Sequence, residues 1–321
     1  MRLWPEARQL DPLPPGLKAY EGSIESRPLL VPSRLVARVR RLHETLLREM
    51  RTLLEDPATA EQLAPTVRLP SHPLTIGALR PDFVLDERGQ PWICEINARF
   101  PVNAFFATAY LSAAMARAYP FRPIPGHERI LEALRMPAEA VILKGRERGW
   151  DIHQLSLESG CRFSDRPGRV TILELHQDEL FSIEGVTIND LRTIWLGHDK
   201  RLLGLLSKRM DGIIPTWTVG SAPLRPGPWV LKPNRLGKGE GLIFSHQVSP
   251  AEWEERIEGA PREWVVQPFI DSPKLEHQRL VGTSLSMNDE VLGMGIFRAA
   301  PGDLVNVAGG GRVLCPMLDE T

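Results

Sequence analysis

The apolar positions between residues 33 and 54 recur at three- and four-residue steps. Leu35, Val39, Leu42, Leu46, Met50 and Leu53 fall on one stripe, the pattern of an amphipathic helix with one face on a core. Ser33 stands where an N-cap is expected, and Asp56-Pro57 ends the run. The arginines of this segment lie off the stripe and read as a solvated face. Residues 1–32 are punctuated by prolines and predict irregular chain. From residue 80 the period shortens to two. Residues 82–85 and 92–97 read as strands joined by a turn at Gly89, a hairpin. Residues 104–118 are alanine-rich and apolar on all sides, which predicts a buried helix, and 128–134 a shorter one. Residues 140–143, 170–175 and 180–183 read as strands around a helix at 151–157, with a charged loop at 145–149; together they predict a small α/β lobe. Leu202, Leu203, Leu205 and Leu206 form the apolar side of a helix over 200–210. Ser249, Pro250 and Glu252 make a capping box for a helix to 257. Residues 263–270, 278–281 and 290–297 read as further strands.

The stretch richest in chemistry is residues 229–244, WVLKPNRLGKGEGLIF. It reads as a strand, then Lys232-Pro233, then a loop with Gly237, Gly239 and Gly241, then a second strand. Glycines let backbone N–H groups approach anionic oxygens, and a lysine adds a fixed positive charge. No helix pattern follows the loop, so neither a P-loop nor a dinucleotide-binding turn fits. A hairpin with a glycine turn and an incidental lysine explains the stretch as well when it is taken alone.

In the hairpin at 80–100, period two places Glu95 and Asn97 on one face, and Cys94 and Ile96 on the other. A carboxylate beside an amide oxygen is a hard donor pair suited to Mg²⁺. Both sit among apolar neighbours, where unpaired polar groups are costly. A plain exposed hairpin edge is the competing reading. Lys200, at the start of its predicted helix, is misplaced for the helix dipole unless it serves an anion. The run Gly309-Gly310-Gly311-Arg312 is a second candidate anion-facing loop, or a near-terminal turn.

Composition narrows the classes. With 321 residues the chain is long enough for two or three small domains, and 42% hydrophobic and 25% charged residues are ordinary for a globular protein. A formal net charge of −1 gives no global field towards nucleic acid or anionic membrane. Three scattered cysteines, Cys94, Cys161 and Cys315, have no metal-like spacing and suit a reducing compartment. No apolar run reaches membrane-spanning length and no leader pattern is present, so the expectation is a cytoplasmic protein with no membrane or nucleic-acid partner.

Taken together, these motifs resemble the ATP-grasp superfamily. Their order resembles a circularly permuted member, the eukaryotic-type glutathione synthetase arrangement. Glu95-x-Asn97 precedes Lys232-Pro233 and the glycine loop by more than a hundred residues, where most members have the reverse. Arg80-x-Asp82, residues 292–297 and Val305-Asn306 extend the resemblance, which covers residues 80–100 and 195–315. It implies an α/β (α+β) ATP-grasp fold with ATP clamped between two lobes. It divides the chain into residues 1–136 with the metal hairpin, 137–197 as a small α/β substrate or lid lobe, and 198–321 as the ATP-binding lobe. It implies ATP and Mg²⁺ as cofactors, with Glu95 and Asn97 on the metal. Lys200, Lys232, Gly237, Gly239 and Gly241 would hold the phosphates, and Gln267, Phe269 and Ile270 the adenine. Arg80 would stabilise the transferring phosphoryl group, and Arg312 would take the substrate carboxylate. The activity implied is an ADP-forming carboxylate–amine ligase acting on small amino-acid-like substrates through an acyl phosphate. An intramolecular lactam-forming synthetase and a silent nucleotide-binding regulatory module remain as alternatives. The sequence departs from those synthetases at Leu236, which holds the place of a metal-binding glutamate, with Glu240 further on. Arg99 and Asn103 replace the serines that follow Glu-x-Asn, which argues against γ-glutamylcysteine as the acid. The alanine-rich helix and the proline-rich N-terminus are compatible with a homodimer.

Overall fold

The computed structural model describes residues 1–14, 17, 20, 22–66, 70, 72–145, 150–174, 186–223, 226–237, 239–307 and 309–320, apart from the side chains of residues 144, 173 and 174. The strand expected at 180–183 and most of the charged loop at 145–149 lie outside the described residues.

Four sheets organise the chain. The largest is five-stranded and antiparallel, in the order Arg312–Leu314, Glu290–Ala300, Arg279–Met287, Arg80–Leu85, Pro91–Asn97. The hairpin at 80–97 is the expected one. Its inner strand finds a partner in Arg279–Met287, where Phe83 pairs with Gly282. That glycine makes room for an edge-to-face pair of Phe83 and Phe297, 5.6 Å apart; a Cβ at Gly282 would sit 2.3 Å from the Phe83 ring. Helix Ser33–Glu55 packs Leu35 and Val39 into one apolar cluster with Phe83, Met294 and Phe297. Helix Asn103–Ala118 packs into a second cluster with Leu285, Leu292 and Ile296. Burial of these two helix faces against the sheet is the main stabilising term.

A second antiparallel sheet joins Trp217–Thr218, Val265–Pro268, Trp229–Lys232 and Ile243–Phe244 in that order. Helix Pro250–Gly259 covers it through Trp253 and Ile257. Ser249 caps its start as expected, its Oγ accepting from the Glu252 N–H, while the Glu252 carboxylate turns to Arg256. The small α/β lobe is a parallel sheet in the order Arg162–Ser164, Ala140–Lys144, Val170–Glu174, Val186–Ile188, with helix Trp150–Ser159 between its strands in sequence. The fourth sheet ties the two ends of the chain together: Leu29–Pro32 runs parallel to Pro316–Asp319. No described helix is long and apolar enough to cross a membrane.

Three expectations change in detail. The segments 1–136 and 198–321 are not separate units, because the five-stranded sheet draws two strands from the first and three from the second. An inner strand needs a hydrogen-bonding neighbour on each side, and the second one for Arg80–Leu85 comes from two hundred residues later. Ser33 is the first helical residue rather than the cap. Pro32 is the N-cap because it is still extended and paired with Asp319. The helix expected at 200–210 is shorter, Arg201–Leu206. The chain must leave it early so that Ile214 N–H can reach Ile93 O and Gly212 O can accept from Ile93 N–H. Asp56 ends the long helix as expected and also caps a helix the sequence reading missed, Pro57–Leu63.

Candidate functional site

The hairpin carries a bulge that re-aims one side of the site. Asp82 pairs with Glu95, but the next pair is Phe83 with Ile93, so Cys94 is an extra residue on its strand. Strict alternation would have turned Cys94 away from Glu95; with the bulge, Cys94, Glu95 and Asn97 all line one cleft. Ile93 and Ile96 go to the core instead. The Cys94 thiol is pushed up to about 12 by burial, which leaves it protonated and inert.

Two lysines from other segments converge on this hairpin. Lys200 Nζ lies 3.1 Å from Glu95 Oε1 and donates to the Leu236 carbonyl. Lys232, the last residue of strand Trp229–Lys232, donates to the Cys94 carbonyl at 3.3 Å. Burial alone would raise the Glu95 carboxyl, but the two ammonium groups outweigh it and hold it well below the usual carboxylate range. Burial pulls the Lys232 ammonium down, partly countered by Cys94 and Glu95. Two ammonium groups face one carboxylate here, so the centre of the cleft has a surplus positive charge that suits a polyanion.

Gly237, Gly239 and Glu240 line the cleft beside Lys232. Gly239 takes a φ of 77° and Gly241 a φ of 70°. Gly241 is a turn glycine packed back on Pro233, 2.8 Å from where its Cβ would lie, and is not among the cleft-lining residues. The loop is anchored from below by Asp199. Its buried carboxylate accepts from Arg201, from Asn234 Nδ2 at 3.2 Å and from Arg235 Nε at 3.2 Å.

The far end of strand Val265–Pro268 closes one end of the cleft with Gln267, Phe269 and Ile270. Phe269 meets Phe244 edge-on at 5.8 Å, and the Arg279 guanidinium lies 5.0 Å over its ring. Gln267 Nε2 donates to Thr216 Oγ1 at 2.8 Å. Its Oε1 is buried and has no partner among the described residues, an acceptor that a ligand N–H would satisfy.

Arg80 reaches the cleft on the other side of the hairpin. It donates to Asp82 at 3.0 Å and to Asn103 Oδ1 at 2.9 Å. Arg298, from strand Glu290–Ala300, holds the second Asp82 oxygen at 2.6 Å. Arg312 is elsewhere. It is half exposed, pairs with Glu25 at 2.9 Å and does not line the cleft. Gly311 N–H is occupied by the Asn306 carbonyl, so the triple-glycine run forms a turn.

Three residues escaped the sequence reading as site residues: His198, Asp199 and Arg298. His198 lines the cleft with both ring nitrogens buried and unpartnered among the described residues. Burial, then Arg99 and Lys200, push it down to about 3, so it is neutral. Its place two residues before Lys200 was the signal in the sequence. Asp199 and Arg298 carry no local motif.

The donor set fits a magnesium ion. Glu95 offers a carboxylate. Asn97 donates its amide N–H to the Arg80 carbonyl at 3.3 Å, which leaves its Oδ1 for a cation. No group of three or more His, Cys, Asp or Glu suited to a metal occurs among the described residues. Two hard ligands without a closed cage suit Mg²⁺, which takes its other ligands from phosphate and water.

Residues 38–176 match the sequence family described as the AnkG N-terminal domain. An alignment over 174 positions is 26% identical to the ATP-grasp enzyme ankG of Aspergillus thermomutatus. Over part of its length the chain is similar to an ATP-grasp enzyme. The ankG match spans 39% of this chain and 36% of that protein, so the chain aligns with about a third of its relative's length. A proposed gamma-glutamylcysteine synthetase of Methylobacillus flagellatus KT superposes with a TM-score of 0.42 over 90% of each chain, at 11% identity. That overlap is too loose to transfer any residue. The architecture is mixed α/β, and the Glu95-x-Asn97 hairpin lies within the stretch that the family model matches.

Proposed function

We propose that the protein is an ATP-dependent carboxylate–amine ligase, forming an amide from small amino-acid-like substrates with release of ADP and phosphate. The observation that carries this reading is a cleft of about 760 Å³ lined by Glu95, Lys232, Arg80 and Phe269, with Lys200 paired to Glu95 from behind the lining.

In this reading Lys232 and Lys200 hold the phosphates and the backbone N–H groups of Gly237 and Gly239 approach them. Gln267 Oε1 accepts from the base and Phe269 packs beside it. Glu95 and Asn97 Oδ1 would hold Mg²⁺, whose charge would offset that of the phosphates. Lys200, now paired with Glu95, would be able to take a phosphate oxygen as its partner instead. A substrate carboxylate oxygen attacks the γ-phosphorus, the bond to ADP breaks, and an acyl phosphate forms. Arg80, held in place by Asp82 and Asn103, stabilises the charge that develops on the transferring group. The amine then attacks the acyl carbon and phosphate leaves. The chemistry needs alignment and exclusion of water more than covalent help from the protein. Arg312, paired with Glu25 outside the cleft, has no part in it; Arg298 is the guanidinium nearer the substrate end.

The test is incubation of the protein with Mg-ATP and pooled acids and amines, with ADP and AMP measured separately and products read by mass. ADP with a new mass of acid plus amine less water supports the reading, and AMP overturns it. Lys232→Ala should lower turnover by about 10²–10³ with the circular dichroism spectrum unchanged; near-normal turnover removes Lys232 from the site.

A further inference from the structure

The cleft does not stop at Arg80. Beyond it lies a second arm that nucleotide and metal do not account for. Helix Asn103–Ala118 supplies one side. Asn103, Ala104, Ala107 and Leu111 all line the cleft, and their spacing puts them on one helical stripe. Asn103 is the residue bonded to Arg80, at 2.9 Å. From there to Leu111 the helix rises about 12 Å, so the stripe leads directly away from the phosphoryl-transfer centre. The two alanines leave room where larger residues would fill the space.

The opposite side is apolar and aromatic. Tyr20, Trp150, Ile152 and Val313 line it. The Tyr20 and Trp150 rings meet edge-on at 5.5 Å, and all four belong to the same apolar cluster as the alanine stripe. Ser23 and Asp151 are polar residues near this arm. Trp150 Nε1 is buried without a partner among the described residues, a donor whose cost an acceptor on a ligand would offset. A subsite built for a second carboxylate or for a γ-glutamyl chain would present cations along this length; the stripe presents methyl groups.

Resting on the ligase reading above, we infer that the carboxylate substrate is an acid with an apolar, aromatic-sized body. Its carboxylate lies at Arg80, and its body lies along Ala104, Ala107 and Leu111 against the Tyr20 and Trp150 rings. A polar dicarboxylic acid is disfavoured, because its second charge would lose its water against this surface.

Calorimetric titration with a non-hydrolysable ATP analogue and magnesium present tests the assignment. Four probes are used: 3-phenylpropanoate, hexanoate, glutarate and glutamate. The first two should saturate at concentrations at least tenfold below the last two. Equal or tighter binding of glutarate or glutamate overturns the inference, and so does failure of both apolar acids to saturate. Ala107→Leu, which fills the arm, should weaken 3-phenylpropanoate at least tenfold while the ATP analogue binds as before; unchanged affinity for the apolar acid overturns the placement. Trp150→Leu replaces it if the first variant does not fold, with the same loss expected and the same contrary result. Binding of the ATP analogue is read separately in every titration. Its absence counts against the ligase reading, whereas a preference for polar acids with normal nucleotide binding counts against this inference alone.

Discussion

Lys200 Nζ and Glu95 Oε1 lie 3.1 Å apart, joining two segments more than a hundred positions distant in the chain. The lysine is nearly buried, at 5% exposure, and the carboxylate is a quarter exposed, at 25%. The pair holds the cleft's ligands in register before nucleotide arrives. It also means that either residue can be called away by a stronger partner, a phosphate for the lysine and a cation for the carboxylate.

Glu95→Gln keeps the shape and removes the charge. The half-saturating Mg²⁺ concentration for ATP turnover should rise steeply, and turnover at saturating metal should fall by about 10²–10³. A magnesium titration of ADP release checks this. An unchanged curve would place the metal elsewhere.

Asp199→Asn should loosen the floor of the glycine loop. The carboxylate is fully buried and takes Arg201 and Arg235, which keep 21% and 30% of their side-chain surface in water. Breaking such a cluster costs about 2–4 kcal/mol, less than for fully buried partners. Urea unfolding midpoints measure it, and the KM for ATP should rise in parallel because Asn234 and Arg235 lead into the loop.

Gly239→Ala tests the loop itself. At a φ of 77° an L-residue is strained, by about 1–2 kcal/mol. The new methyl would meet the end of the Leu304 side chain 2.3 Å away, a group that can swing aside. Backbone strain therefore dominates. A several-fold rise in KM for ATP is expected from initial-rate measurements, with a fall in Tm of a few degrees from the strain.

The closed end of the cleft should loosen in acid. Burial would raise the Asp303 carboxyl, but His246, Gln247 and Arg279 hold it below its ordinary 3.8. Arg279 also lies over Phe269. Because the folded value is the lower one, the stabilisation is present above about pH 4 and is lost as pH falls through the folded value. Asp303→Asn should flatten that acid limb in a stability-against-pH series. A mutant that loses stability in acid as steeply as the parent would contradict it.

How much of this was legible depends on the range of the forces involved. The sequence by itself determined the long helix and its stop at Asp56-Pro57, the hairpin at 80–97, the Ser249 cap and the strand–lysine–glycine loop at 229–244. Each depends on periodicity or backbone preference within about twenty residues, so local composition suffices. It also put Glu95, Asn97, Lys232, Gly237 and Gly239 at one cleft, because their residue types and order resemble a known clamp. Tertiary structure decided the rest. It turned Cys94 towards the cleft, through a bulge that exists only because Phe83 pairs with Ile93. It made Asp199 the anchor of the loop and gave Arg298 to Asp82, bonds between residues 35 to 216 positions apart. It drew Arg312 out to Glu25 and opened the apolar arm beside Asn103. Such pairings are fixed by which strands find each other and which charges must be neutralised when buried, and no local pattern encodes them.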